Sequence, residues 1–237
     1  MKKTLERTAL IYGKETLEAL ENKKVMVVGL GGVGGYVVEA LTRMGIGHFI
    51  LIDHDVVSES NINRQLIATY QTIGQKKIDV MKERMLTIQP EVDVKALDMF
   101  VLPENIDSIN FEGVDYIVDA IDCVTAKIAL ILKAKELNIP IISSMGTGNK
   151  VNPALLEITD IYKTSMCPLA KVMRHELKKR GIKKLKVLYS KEKQQKNIIV
   201  DGKKRAPGST PFVPSSAGLL IASEVTADLI DDLKESL

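Results

Sequence analysis

KVMVVGLGGVGGYVVEALTRMGIGHFILIDHD, Lys24–Asp55, decides the fold. Lys24–Val28 is a short β-branched run stopped by Gly29, which reads as a buried strand. GLGGVG follows at Gly29–Gly34, then a helix over Tyr36–Arg43 ended by Gly45 and Gly47, then a second strand, His48–Asp53. A strand, short crossover helix and strand in this order require parallel pairing and a right-handed connection. Within the turn, Gly29 permits a sharp exit from the strand. Gly31 lets backbone approach a phosphate, and Gly34 lets helix and strand pack closely. The helix N-terminus then offers unpaired N–H groups and partial positive charge to phosphate oxygens. Asp53, 24 residues after Gly29, stands where a carboxylate accepts bonds from a ribose. The stretch reads as a nucleotide cradle, without saying which nucleotide.

The alternation continues outward. Helices are predicted at Lys76–Ile88 (stopped by Pro90) and Thr125–Leu137, and strands at Val92–Leu97, Asp115–Ala120 and Pro140–Ser143. That is the rhythm of a doubly wound, mostly parallel α/β sheet of Rossmann type. Residues 4–21 ahead of it read as helix interrupted by Gly13. Beyond Gly146 the rhythm changes to a strand over 151–162 that need not be parallel, a basic helix over 168–180, a strand over 185–189, a polar mobile loop over 190–211 and a closing helix over 215–235. The chain is read as one domain over 1–237, with an N-terminal helical segment (1–23), a nucleotide-binding core (24–150) and a basic C-terminal strand/helix extension (151–237).

Composition sets the class. Hydrophobic residues at 45% and charged residues at 27% suit a globular protein, and the absence of Trp leaves an aliphatic core. The net charge of +3 hides an asymmetry: residues 171–205 hold fourteen Lys and Arg against three acids, on an otherwise acidic body. A basic stripe of that kind suits a polyanionic partner. Lys178, Lys179, Arg180, Lys183, Lys184 and Lys186 are denser than helix solubility requires and are read as an RNA-tracking surface. Cys123, in an apolar stretch, reads as a small buried hydrophobe. Cys167, in a polar Lys-flanked segment, reads as open to a lowered pKa. No CxxC pair, apolar leader or ~18-residue apolar run is present, so no zinc site of that kind, secretory signal or membrane span is expected, and the chain reads as cytoplasmic.

The segment after the second strand, DHDVVSESNINRQ (Asp53–Gln65), separates two nucleotide chemistries. Hydride transfer has no need of a second acid at Asp55 or of a polar loop with Asn61, Asn63, Arg64 and Gln65. Cleaving a triphosphate between its α and β phosphates needs cations and a metal-holding acid beside the leaving pyrophosphate. Arg64 and Lys77 supply the charge, and Asp122 closes the DYIVDAID strand at the carboxyl edge of the sheet, where such folds bind ligands. The reading is ATP poised for nucleotidyl transfer, ahead of a dehydrogenase.

GLGGVG, LIDHDVVSESNINRQ, IGQKKIDVMKERM and VDAID resemble the adenylating-enzyme superfamily of ubiquitin-activating, ThiF and MoeB proteins. ISSMGTGNKVNP, DIYKTSMCPLAKVMRHELKKRGI and PGSTPFVPSSAGLLIASEV are similar to one branch of it, the tRNA threonylcarbamoyladenosine dehydratases. The resemblance spans nearly the whole chain. It implies that Gly31, Gly32 and Gly34 cradle phosphate and adenosine and that Asp53 binds the ribose. It also implies that Asn61, Arg64, Gln65 and Lys77 contact the triphosphate, and that Asp122 positions Mg²⁺ with Asp55 in support. Arg7 matches an arginine that reaches into a partner subunit, which implies a homodimer. The implied activity is ATP-dependent cyclisation of N6-threonylcarbamoyladenosine in tRNA through adenylation of the threonyl carboxylate. A sulfur-transfer protein partner is compatible with it. The zinc-binding cysteine pairs of MoeB and ThiF and a C-terminal ubiquitin-like domain are missing. Both absences weigh against the alternative, an adenylyltransferase for a sulfur-carrier or ubiquitin-like protein.

Overall fold

The computed structural model describes residues 2–196 and 207–235. Seven strands form its sheet: β1 (Lys24–Val28), β2 (His48–Asp53), β3 (Asp93–Asp98), β4 (Tyr116–Asp119), β5 (Ile141–Ser144), β6 (Leu156–Asp160) and β7 (Lys186–Ser190). The order is β3-β2-β1-β4-β5-β7-β6. All neighbours are parallel except β6, which runs antiparallel to β7. Strand order reverses between β1 and β4, so the loops leaving their carboxyl ends diverge and open a crevice.

Period-two patterning sends alternate strand residues to opposite faces. Val25, Val27, Phe49, Leu51, Tyr116 and Val118 join one core cluster, and Met26, Val28, Ile50, Ile52 and Ile117 join the other. The first face is covered by α2 (Lys14–Glu21), α3 (Gly34–Arg43), α4 (Lys77–Ile88) and α7 (Phe212–Glu235). The second is covered by α5 (Val124–Glu136) and α6 (Pro168–Lys179). Strands buried on both faces explain why VMVV and FILI are continuous apolar runs rather than alternating ones.

The predicted N-terminal helix is two helices, α1 (Glu6–Tyr12) and α2, split where Gly13 takes φ +82°. α7 is the one described helix long and apolar enough to cross a membrane by length and composition, and about half of that stretch, 56%, is buried. It lies against α3, where a Cβ on Gly218 would stand 2.5 Å from the Val33 carbonyl oxygen. The expected loop at 190–211 falls partly, over 197–206, outside the described residues. The cysteines exchange their expected environments. Cys167 is buried at 3% exposure because it caps α6 where that helix enters the second core, whereas Cys123, at the entry to α5, is half-buried.

Candidate active site

The glycine turn is built by steric necessity. Gly29 has φ +91°, and a Cβ there would stand 2.6 Å from the Ala120 carbonyl oxygen of the neighbouring strand end. A Cβ on Gly34 would land inside the Gly29 carbonyl oxygen, so only glycine lets α3 start this close to β1. Gly31 differs, because a Cβ there meets only the Gln65 amide, at 3.8 Å, and otherwise faces open space. Gly32 is pressed by Pro214 of α7 at 3.1 Å. The N–H groups of Gly31, Gly32 and Val33 have no acceptor among the described residues. They remain available to an anion.

Asp53 supports this turn from within. Its carboxylate is buried and accepts from the Leu30 N–H at 2.6 Å and from the Asp55 N–H at 2.8 Å. The residue matched to a ribose contact thus ties the glycine loop to the end of β2. Asp55 is half-exposed and holds the ammonium of Lys77 at 2.7 Å. Lys77 opens α4 and is 4% exposed, while its neighbour Lys76 points outward to Asp98. Asp53, His54 and Asp55 bring potential ligand atoms within 4.8 Å of one another.

The NINRQ loop sits on a short 3-10 turn, Glu59–Asn61, whose start is capped reciprocally by Ser58 and Asn61. Asn61 is buried, and its Oδ1 accepts from the Ser58 N–H, leaving its amide N–H groups for another partner. Arg64 is oriented by donating to the Ser60 carbonyl at 2.8 Å and to Asn63 Oδ1 at 2.7 Å. Gln65 is buried, and its Oε1 has no hydrogen-bond partner among the described residues. A buried amide oxygen left unsatisfied is expensive. Here it fits a ligand that brings hydroxyl or amine donors.

Asp122 is exposed on the turn after β4 and has no hydrogen bond or ion pair among the described residues. The turn is anchored one layer below. Lys127 Nζ, Asp119 and Ser143 are all fully buried, with Lys127 2.9 Å from Asp119 Oδ2 and Ser143 donating to the same oxygen at 2.5 Å. The other oxygen of Asp119 accepts from the Ile121 N–H.

These elements surround a cavity of about 620 Å³ at the carboxyl edge of the sheet, a volume suited to a cofactor-sized ligand. Gly31, Gly32, Asp53, Asp55, Asn61, Arg64, Gln65, Lys77 and Asp122 all line it. Gly34 lies beneath it. Several other wall residues carry no motif in the sequence. His54 and Phe100 meet edge to face, ring centres 4.5 Å apart, and the loop after β5 contributes Ser144–Gly148. Two glycines at a strand's carboxyl end, Gly146 and Gly148, were the signal for that loop. Nothing local signals Pro207 and Ser209. They reach the cavity through Asn149, whose Oδ1 accepts from the Gly208 N–H at 2.6 Å, and Asn63, which donates to the Ser209 carbonyl at 3.0 Å. Behind this loop Glu192 accepts from the Val151 and Asn152 N–H groups. Burial pushes the buried Lys150 below its ordinary 10.5, with Cys167 and Glu192 pulling the other way.

Arg7 lies on exposed α1, outside the cavity of its own chain, beside Leu10 and Ile11, which are 87% and 77% exposed. The basic cluster divides. Lys178, Lys183 and Lys184 are exposed. Lys179 and Arg180 both bind Glu176, which they pull down to about 2. Lys186 does not belong with them. It points across the sheet edge to Glu224 at 2.6 Å and Asp228 at 2.7 Å, and Tyr116 donates to the same Asp228. Its charge is neutralised within the fold, because a residue opening β7 faces the closing helix rather than solvent.

The ThiF family model matches residues 5–231. The chain is 42% identical over 241 residues to a tRNA threonylcarbamoyladenosine dehydratase of Bacillus subtilis, covering 96% of this chain and 95% of that one. The Escherichia coli protein of the same name is 41% identical over 72% of this chain and 64% of its own length. Crystal structures of E. coli tRNA N6-threonylcarbamoyladenosine dehydratase, TcdA, superpose closely. The complex with AMP has a TM-score of 0.90 at 32% identity, covering 97% of this chain and 94% of that one. The complex with ATP has a TM-score of 0.89, also at 32% identity, covering 98% and 96%.

Proposed function

The chain belongs to the ThiF family, and on that premise we propose that it catalyses ATP-dependent dehydration of N6-threonylcarbamoyladenosine in tRNA by adenylating the threonyl carboxylate. The observation that carries this reading is the convergence of an anion-ready glycine turn, two fixed cations and a carboxylate unpaired among the described residues in one cavity. A carboxylate oxygen of the substrate attacks the α-phosphorus, and the bond to the β-phosphate oxygen breaks. Pyrophosphate leaves, and the acyl adenylate remains. The ureido group of the same side chain then attacks the acyl carbon, expelling AMP. The net change is loss of water from the nucleoside as ATP becomes AMP and pyrophosphate. AMP is a far better leaving group than hydroxide, so no protein nucleophile is needed, in keeping with the burial of Cys167.

Each residue has a role that its geometry supports. The N–H groups of Gly31 and Gly32 take phosphate oxygens. Arg64 and Lys77 stabilise the charge that grows on the departing pyrophosphate. Lys77 can do so because Asp55 and burial hold its ammonium in one place. Gln65 Oε1 and the amide of Asn61 are free to accept from and donate to the nucleotide. Asp53, which fixes the turn and also lines the cavity, would accept from the ribose hydroxyls with its remaining lone pairs, and Asp55 beside it would support the site while holding Lys77. Asp122 suits Mg²⁺, which commonly uses one or two carboxylates together with substrate phosphates. The ion would neutralise the triphosphate there. Arg7 would complete the cavity of a partner in a homodimer, with the exposed Leu10 and Ile11 buried between subunits. Lys178, Lys183 and Lys184 would follow the RNA backbone, with Lys179 and Arg180 contributing less because they share Glu176.

The test is mass analysis of nucleosides from threonylcarbamoyl-modified tRNA incubated with protein and ATP. Loss of one water from the modified nucleoside, with AMP formed in step, is the expected result. Pyrophosphate exchange that needs a Gly-Gly-ending carrier protein and ignores tRNA would overturn it.

A further inference from the structure

The turn entering α6 holds a backbone conformation that its residue does not favour. Among the described residues, three that are not glycine have positive φ: Asn138, Asn149 and Met166. Asparagine tolerates that region, but methionine has no local reason to enter it. The Cys167 N–H donates to the Ser165 carbonyl at 2.5 Å, closing a three-residue turn around Met166 at φ +54°. Turns of this type with positive φ are rare and strained.

The strain is held from both sides. Arg174, one and a half turns into α6, donates to the carbonyl and hydroxyl oxygens of Thr164, and that hydroxyl donates to the Ile161 carbonyl. On the other side Cys167 is locked in the core. The product of this scaffolding is an apolar side chain in solvent, as Met166 is 65% exposed. Packing accounts for little of it, since most of the side chain stays in solvent. Strain that persists with so little packing gain is a mark of function.

Its position says which function. Cys167 Sγ and Leu169 each lie 3.8 Å from where a Cβ on Gly146 would be, and Gly146 and Leu169 line the cavity. On its other side α6 carries Lys171 and Lys178 into solvent, with Lys183 and Lys184 beyond. Met166 is therefore exposed just ahead of the end of α6 that abuts the cavity, where a polyanion lying along α6 and placing one nucleotide in the cavity would have to turn inward.

We propose that Met166 is a stacking contact for the tRNA base adjoining the nucleotide whose carboxylate is adenylated. This rests on the tRNA reading above. A thioether against an aromatic face makes a favourable contact, worth about two- to tenfold in affinity. The contact would hold the neighbouring base aside and present the modified base to the cavity.

The experiment compares the full chain with Met166→Gly and Met166→Asn, which both accept positive φ, and with Met166→Leu. Both φ-compatible variants are expected to melt no lower than wild type, to keep the KM for ATP, and to raise the KM for modified tRNA by about two- to tenfold at unchanged kcat. Met166→Leu, which keeps the apolar bulk but lacks the sulfur, is expected to recover only part of the loss. A wild type that converts the tRNA alongside a glycine variant with unchanged KM overturns this proposal alone. So does a lowered melting temperature or an altered sedimentation coefficient at unchanged KM, marking the residue as structural or as a contact between copies. A wild type that neither binds nor converts modified tRNA overturns the parent reading and this one together.

Discussion

Replacing Lys127 by methionine should be among the most damaging single changes in the chain, although the residue touches no ligand. Its ammonium lies 2.9 Å from Asp119 and 3.2 Å from the Ser143 hydroxyl, and all three side chains are 0% exposed. Methionine fills nearly the same volume, so little cavity energy is involved. What remains is the Asp119 carboxylate, buried with the Ser143 hydroxyl and the Ile121 N–H but no opposing charge. Removing one partner of a buried ion pair typically costs about 3–5 kcal/mol. Against a total stability of about 5–15 kcal/mol for a domain, that is about a fifth or more. Urea unfolding followed by far-UV circular dichroism measures it as a lowered midpoint at unchanged slope. The Lys127→Met/Asp119→Asn double variant removes the orphaned charge and should recover at least half of the loss. Because Asp119 holds the N–H of Ile121, next to Asp122, adenylation should fall further than the unfolded fraction accounts for. A single variant within about 1 kcal/mol of wild type, or a double variant whose loss is simply additive, would refute the argument that charge burial dominates here.

Three further outcomes are expected. Lys77→Met should leave the fold intact, since its partner Asp55 is half-exposed, yet reduce AMP formation by about 10²–10³-fold as for a lost charge-stabilising group; a loss under threefold would remove Lys77 from the reaction. Gly31→Ala and Gly34→Ala should separate binding from folding. The first has room for its Cβ and should keep its melting temperature while losing stabilisation by ATP, whereas the second clashes with the Gly29 carbonyl and should lose about 1–3 kcal/mol of stability; equal melting temperatures would refute the steric assignment. Burial alone would raise the Glu39 carboxyl, but hydrogen bonds from Arg84 and Arg43 outweigh it and hold the carboxyl below its ordinary 4.5. A lowered folded-state pKa contributes stability that is present above about pH 4.5 and lost as pH falls through the folded value. Glu39→Gln should therefore flatten the acid limb of the stability curve below that pH, and an unchanged limb would contradict the pairing.

Local order determined much of this protein. The run VMVVGLGG and the glycines at 29, 31 and 34 specify a parallel strand, a turn and a close helix by sterics that act within a dozen residues. The polar loop with Arg64, and Lys77 at the start of α4, were legible for the same reason, since a ligand edge gathers residues just beyond strand ends. Tertiary structure decided what those side chains do once neighbours distant in sequence arrive. Asp53 turns inward to the Leu30 N–H, and Lys186 is claimed by Glu224 and Asp228 of a helix nearly forty residues away. Cys167, polar by its neighbours, is buried because α6 docks there, and Pro207–Ser209 joins the cavity through Asn149 and Asn63. Periodicity and turn chemistry are properties of short segments and can be read in order. Burial, ion pairing and strain such as that at Met166 depend on which segments meet, and only the folded chain decides that.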